Sequence, residues 1–600
     1  MARIRTTDDE VLEAPFNKTQ FIRLMRYMYP YRKQMLFALG LMIMYSVLSL
    51  AGPFFMSRAV SVLENIKTKG FDSRALAMYV AAMIACSALG GLVLRARVRI
   101  TDLNGRRAIA QLRQDLFDYI QRLSFNFFDS RSAGKIMVRV INDVNSLNDL
   151  FSNGIINLVV DCMTLILLIV IMLTVDWRLT LASLCSLSIL AALVTVIKRR
   201  MRRAWQALRV KTSTMNGYLH ESLAGMRVTQ SFTRERENQT TFNDTNDDIR
   251  SSWMRAVRYN NLFWPAIDIT STLGTVLVYL LGLALMGGAR GVTLANLLLI
   301  LWYLGRFWDP ISNLSNFYNS LLTAMASVER IYEIMDTPIE VKDNEGAIPM
   351  PPIVGEIDFD RVTFGYDKDA VVLKDVSFTA RPGQVIALVG PTGAGKSTIV
   401  NLISRFYNAT DGRVLIDGTD VQSVTLESLR SQMSVMMQDS FIFSGTIMDN
   451  IRYGRLEASD EEVIEAAKAV YAHDFIALME KGYATEVNER GSTLSAGQKQ
   501  LISFARALLN NPRILILDEA TSSIDTHTEQ LIQKAIERLL KGRTCFVIAH
   551  RLSTIRKADC IMVVQDGRIA ERGTHDELIK IPGGHYRGLC EAQFAFLAGA

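Results

Sequence analysis

VIALVGPTGAGKSTIVNLI, Val385 to Ile403, reads as a short apolar strand, a glycine-rich turn and an apolar helix, and that succession decides the fold of everything around it. The central nine residues, Gly390, Pro391, Thr392, Gly393, Ala394, Gly395, Lys396, Ser397 and Thr398, satisfy G-x-x-x-x-G-K-[ST] in the strand-to-helix context this motif requires. Glycines let backbone N–H groups close around a phosphate chain, Lys396 reaches the β- and γ-phosphates, and Ser397 offers its hydroxyl to Mg²⁺. Downstream, ILILDEA (Ile514 to Ala520) is a buried strand ending in two carboxylates. Asp518 is placed to hold Mg²⁺, directly or through water, and Glu519 to polarise an attacking water.

Around these two stretches, the strand-like runs VIALVG, RVLIDG, ILILDEA, CFVIAH and CIMVVQDGRIA alternate with helical ones, which predicts an α/β domain with a mostly parallel sheet. Upstream, DTPIEVKDNEGAIPMPP (336 to 352) loses periodicity and gathers Pro and charge, as a linker does.

The first half of the chain has a different character. Apolar stretches near 35–54, 76–95, 155–175, 179–198, 261–286 and 292–312 each approach the ~20 residues a helix needs to cross a bilayer. Before them, FIRLMRYMYPY (Phe21 to Tyr31) alternates basic and apolar residues, as expected of an amphipathic helix at a membrane surface. Residues 95–154 carry Arg95, Arg97, Arg99, Arg106, Arg107 and Arg113, and 198–260 open with Lys198, Arg199, Arg200, Arg202 and Arg203. By the positive-inside rule both long links are cytoplasmic, and an even number of spans leaves both termini cytoplasmic. The expected architecture is an α-helical six-span transmembrane domain followed by an α/β P-loop nucleotide-binding domain. Its boundaries fall at 1–34 for the N-terminal segment, 35–325 for the membrane domain, 326–352 for the linker and 353–600 for the α/β domain.

Composition agrees with a chain that is part membrane, part soluble. Of the 600 residues 49% are hydrophobic and 21% charged. The 66 Lys+Arg against 60 Asp+Glu leave only +6, too little to argue for nucleic acid. The six cysteines show no CxxC or metal spacing and read as free thiols. Asp161, Asp268, Arg306 and Asp309 lie inside apolar stretches and are candidates for a bundle interior or polar cavity. Trp264, Trp302, Tyr303, Phe307 and Trp308 form either an aromatic wall for amphipathic cargo or ordinary packing.

The order of motifs narrows this further. The phosphate loop, Gln438 in VMMQDS, LSAGQ (Leu494 to Gln498), LDEATSSID with Asp525, and VIAHRLST with His550 resembles the nucleotide-binding domain of ATP-binding cassette transporters, and six spans ahead of one such domain look like an exporter half-transporter. FFDSRSAGKIMVRVINDV (Phe127 to Val144) and ESLAGMRVTQSF (Glu221 to Phe232) resemble that family's coupling loops, and TEVNERG (Thr485 to Gly491) the stretch before its signature.

The resemblance implies roles at each matching position. Tyr366 in FGYDKDA would stack on adenine; Gln438 would sense γ-phosphate and Mg²⁺; Ser495, Gly497 and Gln498 would meet the ATP of the opposite subunit; Asp525 would lie at the dimer seam; His550 would contact the γ-phosphate. It implies ATP and Mg²⁺ as ligands, a second half-transporter as partner, a hydrophobic or amphipathic cargo, a lipid flippase or ATP-gated channel as alternatives, and a place in the cytoplasmic membrane. Ala496 stands where the family usually has Gly, and SSID where SALD is commoner. Both departures favour a heterodimer over a homodimer.

Overall fold

The computed structural model describes residues 17–64, 66, 71–148, 150–286, 292–367, 370–437, 440–488, 491–519, 526–549 and 555–598. They form two compact units, one of residues up to 118 with 137–335, the other of 119–136 with everything from 336 onward.

The first unit is helical. Its long elements are Arg32–Glu64, Ser73–Arg122, Ile155–Val175, Trp177–Ala224, Glu235–Asn261, Phe263–Leu285, Leu294–Arg306 and Trp308–Met335. At ~1.5 Å per residue, the 50-residue helix Ser73–Arg122 is far longer than a hydrocarbon layer is thick. The long basic links thus begin as continuations of the helices Ser73–Arg122 and Trp177–Ala224. Three of its helices start on side-chain caps: Asp72 accepts from the amides of Arg74 and Ala75, Asp176 from those of Arg178 and Leu179, and Thr293 from that of Asn296.

Four segments among the described residues are long and apolar enough to cross a membrane: Lys18–Glu64, Ser73–Arg122, Asn157–Val175 and Asp268–Leu285. Six were expected. The stretch 292–312 is divided, because one helix ends at Arg306 and the next starts at Trp308. Asp309 and Pro310 sit in the first turn of that second helix, where a carboxylate and a missing N–H are both well tolerated. Leu92, Ile166, Leu280 and Leu283 point outward, each more than half exposed, a surface suited to lipid as solvent.

The expected linker from 326 also shifts. Trp308–Met335 continues through those positions, with Val328, Ile331, Tyr332 and Ile334 buried at helical spacing. Tyr303 and Phe307 pack in a cluster with Leu50, Leu168, Leu297 and Ile300, and the Tyr303 hydroxyl donates to the Leu50 carbonyl at 2.9 Å. For these two the packing reading is correct, since both are almost wholly buried.

One charged network ties this unit together. The buried Asp143 accepts from Arg139 Nη1 at 2.9 Å, Arg330 Nε at 3.0 Å and the Ser327 hydroxyl at 3.2 Å. Burial alone would raise its pKa, but the hydrogen bonds and charges of Arg330 and Arg139 outweigh it and hold the carboxyl below the usual value. The stabilisation is therefore present above the unfolded pKa of about 4 and disappears as pH falls through the lower folded value. Asp143→Asn, which removes the carboxylate charge between two partly exposed guanidinium groups, is expected to cost about 2 kcal/mol near neutral pH. Thermal unfolding of the two proteins as a function of pH checks this, and the gap between them should close below about pH 4.

Among its described residues the second unit holds two larger sheets and a two-stranded one. One is antiparallel, in the order β2-β1-β4-β5, from β1 (Ile357–Asp367), β2 (Ala370–Ala380), β4 (Asp411–Ile416) and β5 (Thr419–Asp420). The other runs β12-β11-β3-β10-β9-β6, from β3 (Val385–Val389), β6 (Met433–Met436), β9 (Ile514–Glu519), β10 (Thr544–Ala549), β11 (Cys560–Gln565) and β12 (Arg568–Gly573). In it β6, β9, β10, β3 and β11 are parallel and β12 returns antiparallel. The two-stranded sheet pairs β7 (Gly445–Thr446) with β8 (Glu486–Val487).

RVLIDG does not join the parallel sheet. It forms β4, antiparallel to β1 and β5, because its alternating burial suits a strand with one covered face whereas β10 is buried at every position. The loop 119–136 belongs to this unit. Its short helix Phe125–Ser130 is seated by the Phe125 ring 4.3 Å from that of Phe406, by a hydrogen bond from Tyr407 to Asp129, and by the Val341 amide on the Ser124 hydroxyl at 3.0 Å.

Candidate active site

The phosphate-loop motif leaves the carboxyl end of β3, whose residues Ile386 to Val389 are buried. Gly390 turns the chain with φ +147°, and a Cβ there would stand 2.1 Å from the Val564 carbonyl oxygen of β11. Gly395, φ +107°, is the N-cap of helix Lys396–Ile403. Only glycine adopts such angles without strain. Thr398, Ile399, Val400, Leu402 and Ile403 are buried and pin this helix, so its unsatisfied first-turn N–H groups and positive dipole end are fixed at the sheet edge.

The Lys396 ammonium folds back over the loop and donates to the carbonyls of Gly390 and Pro391, both at 2.8 Å. Burial lowers its pKa, and the charge of Asp518 opposes that shift. Ser397 is exposed at the first turn.

Register places the carboxylate pair, Asp518 and Glu519, on the same edge. Leu388 of β3 pairs with Ile548 of β10, and Ile548 with Asp518 of β9, while Glu519 pairs with Ala549. Asp518 is half-buried. In open α/β sheets ligands collect outside the carboxyl ends of parallel strands, and here β3, β6, β9 and β10 run parallel and end on that edge. Gln438 follows β6 and His550 follows β10, though both residues, with Asp525, lie outside the described residues, as does the side chain of Glu519.

Tyr366, next to last in β1, has its ring edge-on to those of Phe364 and Tyr407, each at 5.0 Å. Its hydroxyl lies 3.2 Å from that of Thr398, which ties the aromatic side of the site to the phosphate-loop helix. Ser495 caps the 14-residue helix Ala496–Leu509 in a capping box: its hydroxyl accepts from the Gln498 amide at 3.3 Å, and Gln498 Oε1 accepts from the Ser495 amide at 2.9 Å. The helix packs against Ile447–Arg452, Asp460–Ala469 and Thr526–Leu540. Gly497 is buried, while Ser495 and Ala496 face outward, so the helix presents its positive end away from its own core.

Reasoning from sequence missed the S-x-x-Q capping box, although the local pattern states it. It also missed Tyr407, which touches Tyr366 and Asp129 and carries no motif of its own. Burial and the bond to Asp129 push its phenol pKa upward, so it is a hydrogen-bond donor at any physiological pH.

Comparison with known proteins agrees along the chain. Residues 35–310 match the family described as the ABC transporter transmembrane region, and 373–522 the family described as ABC transporter. An uncharacterized ABC transporter ATP-binding protein of Bacillus subtilis (strain 168), YknV, is 47% identical over 596 residues, covering 99% of this chain and 98% of that protein. A fatty acid ABC transporter ATP-binding/permease protein of Mycobacterium tuberculosis (strain CDC 1551 / Oshkosh) is 37% identical over 528 residues, 88% of this chain and 83% of that one. The solved structure of a bacterial Atm1-family ABC exporter with ATP bound aligns with a TM-score of 0.74 at 30% identity, covering 94% of this chain and 98% of the other.

Proposed function

This chain belongs to the ABC transporter family, as an ATP hydrolase coupled to export through a multi-pass membrane domain, and on that premise we propose that it exports hydrophobic or amphipathic compounds as one half of a heterodimer. The observation that carries the reading is the joint placement of the phosphate loop and Asp518 at one sheet edge with the outward-facing, Ser495-capped helix end of the same domain. That helix end suits the γ-phosphate of a nucleotide on a second, head-to-tail domain.

In this reading Gly390 to Thr398 cradle the phosphates, Lys396 exchanges its two carbonyl partners for the β- and γ-oxygens, and Tyr366 stacks on adenine. Glu519 polarises the attacking water and His550 and Gln438 contact the γ-phosphate, while Ser495, Gly497, Gln498 and Asp525 serve the opposite site. Binding of ATP closes the pair because the charge of the γ-phosphate is shared between both domains, and its loss releases them. The donor set of the Ser397 hydroxyl, the Asp518 carboxylate and Gln438 consists of hard oxygens, the chemistry Mg²⁺ takes alongside substrate phosphates. When bound there, Mg²⁺ neutralises charge on the phosphates.

We assign six spans, near 35–54, 76–95, 155–175, 179–198, 261–286 and 292–312, with both termini cytoplasmic and the chain in the cytoplasmic membrane. The unbroken helix Trp177–Ala224 supports the fourth, and Leu294–Arg306 with the start of the following helix supports the last. The name of the fatty-acid relative supports an amphipathic cargo. Ala496 at the exposed signature position supports a partner that differs from this chain.

Purification of the chain alone and with a related half-transporter, followed by ATPase and vesicle transport assays against fatty acids and cationic drugs, tests the proposal. Full drug-stimulated activity of the chain alone would overturn the heterodimer. Failure of every amphipathic probe with both halves present would overturn the cargo class.

A further inference from the structure

From residue 17 to 39 the chain carries Lys18, Arg23, Arg26, Arg32 and Lys33 and no acidic residue. This run folds as helix Lys18–Met25, a 3₁₀ turn Arg26–Tyr31, and the start of helix Arg32–Glu64. Between it and the segment at 151–159 lies a trough of about 380 Å³, walled by Met25, Met28, Met35, Leu39, Phe151 and Val159. Tyr29 and Arg32 also line it, as its polar groups, and so does Leu36, which is 66% exposed.

We propose that this trough is a binding site for one anionic phospholipid, with an acyl chain along the methionine-lined wall and its phosphate on Arg32. The site is distinct from the nucleotide site, none of whose residues line it. Four observations converge on that occupant. The trough lies where an amphipathic helix meets the start of a membrane span, the depth at which headgroup and hydrocarbon adjoin. Its three methionines are unbranched and polarizable, a wall that adapts to a flexible chain.

The Arg32 guanidinium is already oriented, 4.4 Å over the Tyr29 ring and hydrogen-bonded to that hydroxyl, so its fork is held ready for a phosphate. Arg23 is engaged elsewhere, 4.0 Å over the Tyr332 ring. The charge of the segment selects the headgroup class. Cations with no carboxylate among them attract a net negative lipid, whereas a choline headgroup would bring a further cation into the same field.

The test uses the full chain reconstituted in bilayer discs of equal phosphatidylglycerol and phosphatidylcholine, re-extracted gently, with co-purifying lipid counted by native mass spectrometry. Wild-type protein is expected to retain phosphatidylglycerol about fivefold over phosphatidylcholine, the preference one oriented basic side chain supplies. Arg32→Gln should abolish that preference, Arg32→Lys should keep part of it, and Leu39→Trp, which fills the trough, should lower retention of both lipids. Unchanged basal ATPase activity of these variants certifies the fold. Equal retention of the two lipids by wild-type protein, or a preference that survives Arg32→Gln, overturns the proposal.

Discussion

Glu519→Gln is expected to lower ATP hydrolysis at its own site by roughly 10²–10⁴-fold, the range a positioned general base contributes, while ATP continues to bind. The residue is the last of β9, directly after Asp518 and in register with Ala549 of β10, at the edge where the phosphate loop also emerges. Glutamine has the same length and leaves strand pairing untouched, so the change removes a proton acceptor and little else. The phosphate-binding groups, Lys396 and the first-turn amides of Lys396–Ile403, are unaltered.

The variant should therefore hold unhydrolysed ATP and accumulate in the closed, dimerised state. Filter-bound radiolabelled ATP and size-exclusion with and without nucleotide read those two consequences separately. Hydrolysis at the wild-type rate would show that another group activates the water. Loss of ATP binding would show instead that Glu519 holds the site together. In a heterodimer the partner's own site must carry the same substitution for the full effect, which makes the residual rate a measure of how many sites turn over.

What the sequence states about this protein and what it withholds follow from how far apart the interacting residues are. ILIL before Asp518 and VIAL before Gly390 are legible because a fully buried parallel strand must be continuously apolar, and the motif then sits where the strand ends. RVLIDG was harder. Its pattern announces a strand, but its partners, around Ile357 and Thr419, are specified by burial of a second sheet face that no local pattern encodes. The break after Arg306 escapes hydropathy because averaging over a span ignores that Asp309 and Pro310 make a good helix start. The seating of Phe125–Ser130 joins Asp129 to Tyr407 across 278 residues, a pairing that only the folded chain reveals.

Gly390→Ala is expected to be the most damaging single-methyl change in the phosphate loop, and Gly393→Ala the internal control. At Gly390 the added Cβ would meet the Val564 carbonyl oxygen at 2.1 Å and its carbon at 3.2 Å, backbone atoms of a strand that is itself paired to β3. No side chain can rotate away to relieve that contact. The residue also has φ +147°, where an L-residue is strained regardless of space.

Either β11 shifts, disturbing a parallel sheet buried on both faces, or the loop leaves its turn and the Lys396 helix loses its alignment with the phosphates. Overpacking against rigid backbone costs about 3 kcal/mol, which as lost binding is on the order of a hundredfold in nucleotide affinity. Gly393 has φ +83° but nothing within 4 Å of a new Cβ, so its alanine carries only the backbone term, about 1–2 kcal/mol. Titration of a fluorescent ATP analogue on each full-length variant, with thermal unfolding as the parallel readout, separates the two. Equal losses at both positions would mean that backbone angle, and not the approach to Val564, dictates glycine at the mouth of this loop.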